Sequence, residues 1–283
     1  MTSSPLLNVD VSKIRCLAFD AVGTLIFAEP SVAVTYASVG QRFGSQVTAE
    51  EIGPRFREAL CRADTEAERW FGELGRTNEE YEREFWRRMV REVLPDAAEA
   101  ESCFEMLFEH FAQPTSWRCF EDVGSTLTQL QSRGYRVLVA SNFDARLHRV
   151  CDGLSELRDV RTRVISSLVG YRKTHPGFYA AVVDAAEGDP STVLMIGDDF
   201  ENDVVSARDA GIAAVHLKRE LPPTATASPP PLSLPRWNQA SALRMTPSES
   251  NLVQKPASHR AELGGVADVE TIGSLFDLLE WLP

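Results

Sequence analysis

Short, unbroken hydrophobic runs recur along this chain. The clearest lie at residues 16–19, 137–140 and 193–196, with fainter ones at 164–166 and 213–216. Runs of this length, rich in Val, Ile and Leu and closed by polar or glycine-containing turns, predict strands. A helical pattern follows each of them, so from Asp122 onward the order reads α-β-α-β-α-β-α-β. Such alternation predicts an α/β domain, a parallel sheet covered by helices. Ligands on sheets of this kind bind at the carboxyl ends of the strands, so the residues just past each run are the candidates for chemistry.

Between residues 29 and 113 the texture changes. Glu and Arg dominate, and apolar residues fall at helical spacing: Phe56, Leu60 and Ala63, then Phe85, Met89 and Val93. No convincing strand interrupts the stretch, which reads as a helical subdomain inserted in a loop after the first strand. The core is then expected in two pieces, residues 12–28 and 114–220. From 221 to 265 the run PPTATASPPPLSLP and the polar residues after it offer too little apolar content to pack, which predicts a flexible, proline-rich excursion. Helical periodicity returns with Ile272, Leu275, Leu278, Leu279 and Leu282, so residues 266–283 are expected to dock on the sheet as a last helix.

Bulk properties narrow the function. A chain of 283 residues with 43% hydrophobic content can bury a full core. Its formal charge of −12 argues against a duplex nucleic acid partner, which demands clustered Lys and Arg. An anionic small molecule stays open, since a metal ion can reverse the local field. The five cysteines (Cys16, Cys61, Cys103, Cys119 and Cys151) are odd in number and lack CxxC spacing, as expected of free thiols in a reducing compartment. Neither a signal peptide nor a bilayer-spanning run is recognised, so the expected location is cytoplasmic, away from membranes. The sequence leaves the oligomeric state open.

Four segments carry candidate chemistry. In LAFDAVGTL a strand ends in Asp20, placed to act as nucleophile or metal ligand, with Gly23 to turn the backbone and Thr24 to hold a carboxylate. The plain alternative is a capped turn. In VLVASNFDARL, Ser141 and Asn142 follow a strand and suit either phosphate oxygens or a helix N-cap. In VGYRKTHPGFY, Lys173 is one of few lysines, with Lys13, Lys218 and Lys255; it would neutralise a carboxylate and a phosphate together, or simply sit in solvent. His175 reads as a loop residue. In VLMIGDDFENDVVSARDAG a strand runs into Gly197, Asp198 and Asp199, with Asp203 a turn later. Adjacent carboxylates repel unless a cation intervenes, and hard oxygen ligands suit Mg²⁺. The alternative is an acidic turn capping the next helix, for which Asp203 is well placed.

The order of the four, each after a strand, resembles the motifs of the haloacid dehalogenase superfamily from about Arg15 to Arg219. Its implied fold is a Rossmann-like parallel core with an inserted α-helical cap. Within it, FWRRMV, HFAQPTSW and SNFDARL resemble the subgroup named haloacid dehalogenase-like hydrolase domain-containing protein 3. The resemblance implies a hydrolase in which Asp20 forms an aspartyl-phosphate. It also implies that Asp198 holds Mg²⁺ with Asp20 and the backbone carbonyl of Val22. Ser141 would bind the transferring group, with Thr24 and Asn142 near the substrate, and Lys173 would neutralise charge. Asp199 and Asp203 would complete the outer metal shell or orient Lys173. Trp70, Phe71, Phe85 and Trp86 would line the entrance or form the cap's own core.

One position departs from the pattern. Phosphatases of this superfamily carry a second Asp two residues beyond the nucleophile, as general acid for the leaving alcohol. Here that residue is Val22. Dehalogenases also lack an acid there, but they lack the Gly-Asp-Asp turn too. Phosphonatases use a cap lysine, and residues 29–113 contain none. The expected function is a Mg²⁺-dependent phosphatase of a small phosphorylated molecule. The alternatives are a weak or inactive phosphoryl-binding pseudoenzyme and hydrolysis at carbon in the manner of a 2-haloacid dehalogenase.

Overall fold

The computed structural model describes residues 9–219 and 269–283, the side chains of 61–70 excepted. The proline-rich stretch 221–265 and the side chains of Ala63 and Trp70 lie outside the described residues. Six parallel strands form the main sheet: β1 (Cys16–Phe19), β4 (Arg136–Ser141), β5 (Thr162–Ile165), β6 (Val193–Gly197), β7 (Ala213–Leu217) and β8 (Thr271–Ile272). Their spatial order is β5-β4-β1-β6-β7-β8. The central strand, CLAF, is buried at every residue. Side chains alternate across a strand, so Leu17, Phe19, Val139 and Ile196 enter one core layer. Cys16, Ala18, Ala140 and Met195 enter the layer on the opposite face. Burial on both faces explains why the runs are continuous rather than alternating.

Helices cover both faces. On the first lie α5 (Val123–Ser132) and α6 (Arg146–Gly153). On the second lie α8 (Pro176–Ala185) and α9 (Ser206–Asp209). Pro176 opens α8 at the position where a missing N–H costs nothing, and the His175 side chain caps it by accepting from Gly177 N. The C-terminal segment differs in detail from a single helix. Thr271–Ile272 pairs with β7 as β8, and the helix is the shorter Phe276–Trp281. His216 N donates to Glu270 O at 2.9 Å and Lys218 N to Ile272 O at 2.8 Å, which gives partners to the exposed edge of β7.

Four helices stand between the first and second strands of the core: α1 (Val32–Arg42), α2 (Ala49–Phe71), α3 (Glu79–Val93) and α4 (Ala100–His110). Each packs on two neighbours, α1 on α2 and α4, and α3 on the same pair. Their apolar stripes close a separate core around Ile52, Phe56, Tyr81, Phe85, Met89 and Phe104. Ser31 caps α1, and Asn78 caps α3 by accepting from Tyr81 N at 2.7 Å. The helices join the sheet domain through a two-stranded antiparallel stem, β2 (Ile26–Ala28) with β3 (Trp117–Cys119). A second seam runs from the α2–α3 loop to the loop carrying Lys173. There Thr77 N donates to Gly170 O, and Arg172 N to Gly75 O at 2.8 Å. Between β5 and α8, α7 (Ser166–Val169) ends in Gly170, whose φ of 87° is the left-handed geometry that glycine tolerates.

Candidate active site

The register of the sheet brings the site together. Phe19 lies level with Val139 of β4 and with Ile196 of β6. Asp20, Ser141 and Asp198 therefore emerge at the same carboxyl edge, from three adjacent strands. Asp20 is buried, and its N–H is fixed on Ile196 O at 2.9 Å. Its Oδ1 accepts from Ser141 Oγ at 3.1 Å and from Lys173 Nζ. Oδ2 accepts no hydrogen bond among the described residues. One oxygen of Asp20 is thus gripped and the other is open.

Lys173 comes from the loop before α8, not from a strand. Its backbone N–H is held by Asn142 Oδ1 at 2.9 Å, and its ammonium by Asp20 and by Asp203 Oδ1 at 2.6 Å. Burial disfavours the charged ammonium, but those two carboxylates outweigh it and raise the pKa, so Lys173 stays protonated. Burial and the neighbouring carboxylates push Asp198 well above the usual carboxylate range. Burial lifts Asp203 in the same direction against the pull of Lys173.

The acidic turn divides its work between two residues. Asp199 caps the π-helical turn Phe200–Val205, accepting from Glu201 N and Asn202 N at 3.0 Å each. The cap expected of Asp203 therefore belongs to Asp199. Asp203 instead bridges Lys173 and Asp199 N, at 3.0 Å from the latter. A Cβ at Gly197 would stand 2.0 Å from Asp203 Oδ2, so only glycine admits that carboxylate. Gly23, at a φ of 90°, plays the same part for Asp198, whose Oδ2 would lie 2.3 Å from an added Cβ.

Ligand oxygens of Asp20, Asp198 and Asp203 all lie within 4.8 Å of one another. Three ionised carboxylates against one ammonium would leave two unit negative charges in this site. The raised pKa values of Asp198 and Asp203 relieve that by protonation, and a divalent cation would do so while keeping the carboxylates ionised. The donor set is all hard oxygen and fits Mg²⁺. Both Asp203 oxygens are engaged in hydrogen bonds, whereas the Asp198 carboxylate receives, among the described residues, only Thr24 Oγ1, at 3.1 Å on Oδ1. That bond sets Thr24 apart from its expected place near the substrate. It is fully buried behind Asp198 and is not part of the cavity wall.

A cavity of about 210 Å³ rises from these residues into the four-helix insert. Asp20, Ser141, Asn142, Lys173 and Asp198 line its floor, together with Val22, which is 38% exposed. Phe85 and Trp86 line it while also packing in the insert's core, so both expected roles meet in the same rings. Phe71 packs against Tyr81 and is not in the wall. Three features went unread in the sequence. Glu82 and Arg172 form a buried ion pair beside the site, Arg172 Nη2 donating to Glu82 Oε1 at 2.6 Å. Tyr36, on α1, lines the cavity. Arg146 stacks over Phe108 at 3.6 Å while its guanidinium is held by Asp144. The adjacency of Arg172 to Lys173 was a usable signal; Glu82 and Tyr36 sat among ordinary helical residues and gave none.

The family model of the haloacid dehalogenase-like hydrolases matches residues 14–211, more than half of the chain. The chain belongs to that family and is a hydrolase. This haloacid dehalogenase-like hydrolase is 26% identical over 205 residues to the Bos taurus protein named haloacid dehalogenase-like hydrolase domain-containing protein 3, covering 71% of this chain and 80% of that one. Two solved structures share the fold. One is an L-2-haloacid dehalogenase, with a TM-score of 0.60 at 17% identity, covering 80% of this chain and 92% of its own. The other is a HAD phosphatase from Thermococcus onnurineus, with a TM-score of 0.57 at 16% identity, covering 95% and 98%. Among the described residues no helix is long and apolar enough to cross a membrane.

Proposed function

We propose that this hydrolase is a Mg²⁺-dependent phosphatase of a small phosphorylated molecule, with Asp20 as nucleophile. The carrying observation is the asymmetry of Asp20: Ser141 and Lys173 hold Oδ1, while Oδ2 has no hydrogen-bond partner among the described residues and the residue lines the cavity floor. A carboxylate fixed by one oxygen is oriented for attack with the other. Asp20 attacks phosphorus, the bond to the leaving oxygen breaks, and an aspartyl-phosphate forms. Water then attacks phosphorus, releasing inorganic phosphate and restoring the carboxylate. Ser141 and the Lys173 ammonium are placed to bind the phosphoryl oxygens, while Asn142 and Asp203 position Lys173 from two sides. Asp20, Asp198 and the backbone carbonyl of Val22 would hold Mg²⁺, which would supply positive charge to the phosphoryl group. Four described thiols, Cys16, Cys103, Cys119 and Cys151, are unpaired, which supports a reducing, cytoplasmic setting.

A second reading, hydrolysis at a carbon–halogen bond, is favoured by the apolar cavity and by Val22, which offers no proton to a leaving alcohol. Against it stands the cluster of hard carboxylate oxygens from Asp20, Asp198 and Asp203, which suits a divalent cation that displacement of a halide does not require. Turnover of a panel of small phosphorylated molecules, with and without Mg²⁺, separates the two. The phosphatase reading requires metal-dependent phosphate release that Asp20→Asn abolishes while the variant stays folded. An Asp20→Asn protein retaining most of the parent rate would make Asp20 structural and remove the proposal.

A further inference from the structure

We infer that the substrate is an aryl phosphate, the monoester of a phenolic ring that lodges in the cavity with a polar ring substituent against the Tyr36 hydroxyl. This deepens, and rests on, the phosphatase reading.

The size of the cavity comes first. An apolar cavity of about 150 Å³ accommodates benzene; one of about 210 Å³ takes a single ring and the phosphoryl group attached to it. Lining chemistry comes second. Above the carboxylate floor the walls are Phe85, Trp86, Phe104, Phe108, Phe111 and Trp117. A sugar or polyol entering them would strip water from its hydroxyls and find few partners, because the charged side chains of the wall are already engaged. Glu82 takes Thr77 Oγ1 and Arg172; Arg146 donates to Asp144 and to Phe108 O. An aromatic ring faces no such cost, and edge-on contacts with these rings favour it.

Tyr36 is a different case. It is 3% exposed, lines the cavity, and its hydroxyl makes no hydrogen bond among the described residues. Its ring is fixed edge-on by Phe56, with centroids 4.8 Å apart. Burial raises the pKa of the phenol, which therefore stays protonated and able to donate. The hydroxyl is not among the side-chain atoms cut off from solvent, and Tyr36 lines the cavity, so a polar substituent on the ligand can take the place of water as its acceptor.

Val22 names the same class independently. With no acid beside the nucleophile, the departing oxygen leaves as its anion. A phenol, with a pKa of about 10, departs far more readily than an aliphatic alcohol, whose acidity is close to that of water at about 15.7. The P–O bond to the ring breaks, its electron pair leaves on the phenolate, and the phenolate takes its proton from bulk water.

The test is kcat/KM of the full chain with Mg²⁺ on five probes: phenyl, 4-hydroxyphenyl, cyclohexyl, glycerol and acetyl phosphate. Phenyl phosphate is expected to exceed both cyclohexyl and glycerol phosphate by about 100-fold, the low end of what a general acid supplies elsewhere. Trp86→Ala should raise KM for phenyl phosphate by roughly tenfold through lost ring contact. Tyr36→Phe should lower the ratio of 4-hydroxyphenyl to phenyl phosphate by roughly threefold to tenfold, the worth of one hydrogen bond. Acetyl phosphate needs neither ring nor acid, so it reports the phosphoryl chemistry alone. Turnover of acetyl phosphate with glycerol phosphate matching phenyl phosphate would overturn this inference and leave the phosphatase reading standing. A Tyr36→Phe ratio equal to the parent's would remove Tyr36 from it. No turnover of any probe, acetyl phosphate included, would sink the phosphatase reading and this inference with it.

Discussion

Replacing Val22 by Asp tests what the site lacks. Val22 lies two residues past Asp20, lines the cavity and is 38% exposed. A carboxyl placed there stays partly in water, so the folding cost should stay within about 0.5 kcal/mol, the usual range for surface changes. The gain in rate is bounded by general acid catalysis, roughly 10²–10⁴-fold, equivalent to about 3–5 kcal/mol of barrier at about 1.4 kcal/mol per decade. That gain should appear with glycerol phosphate, whose alkoxide leaves poorly, and should nearly vanish with p-nitrophenyl phosphate. It should also fade as the pH rises through the new carboxyl's pKa, because only the protonated form donates. The assay is the ratio of kcat/KM for the two substrates, with melting temperature measured alongside. A variant that melts like the parent and shows no change in that ratio would refute the reasoning, and proton donation would not be what limits this site.

Glu82→Ala should destabilise the protein by about 3 kcal/mol, because it leaves the buried Arg172 guanidinium without its carboxylate; a loss below about 1 kcal/mol in urea denaturation would show that water replaces the pair. Asp122 receives both terminal nitrogens of Arg219, Ser274 Oγ at 2.7 Å and Leu275 N at 2.8 Å. Burial pushes its carboxyl up, but the hydrogen bonds from Arg219 and Ser274 outweigh burial and hold it below the ordinary value. Its stabilisation is therefore present above the unfolded pKa, about 3.9, and lost as pH falls through the lower folded value. Asp122→Asn should cost about 2 kcal/mol at neutral pH and less in acid; equal losses at both would contradict the linkage. Gly23→Ala would put a Cβ 2.3 Å from Asp198 Oδ2 and hold an L residue at a φ of 90°. Mg²⁺ affinity by calorimetry should fall at least roughly tenfold, and an unchanged affinity would place the metal away from Asp198.

Much of the sheet was legible because its strands are buried on both faces, which writes continuous hydrophobic runs such as CLAF and VLMIG. The β2–β3 stem was not: each strand is three residues long, and its partner lies on the far side of the whole helical insert. The end of the chain misled for a related reason. Ile272 fits a helical stripe, yet the free edge of β7 recruits it as a strand. At the site, Asp20, Ser141 and Asp198 come together because each stands at or just past the end of a strand of one parallel sheet, so position along the chain encodes position in space. Lys173 was readable only as a scarce residue; its place depends on Asn142 and on the seam at Gly75. The division of labour between Asp199 and Asp203 was not readable, since sequence spacing alone does not reveal which carboxylate caps the turn and which turns inward to Lys173. Glu82 was hidden among the charged residues of α3, where an inward-facing acid looks like a solvated one.

The central claim is covalent catalysis through Asp20 with water attacking phosphorus. It is tested most directly by turnover in water labelled with heavy oxygen, paired with borohydride reduction of the acid-quenched enzyme and mass spectrometry of the peptide containing Asp20. The account predicts label in the released phosphate, none in the Asp20 carboxylate, and reduction of the trapped acyl phosphate to homoserine at position 20. Label incorporated into Asp20 would mean that water attacks an ester carbonyl, as in hydrolysis at carbon; phosphate release with Asp20 never modified would contradict the account outright.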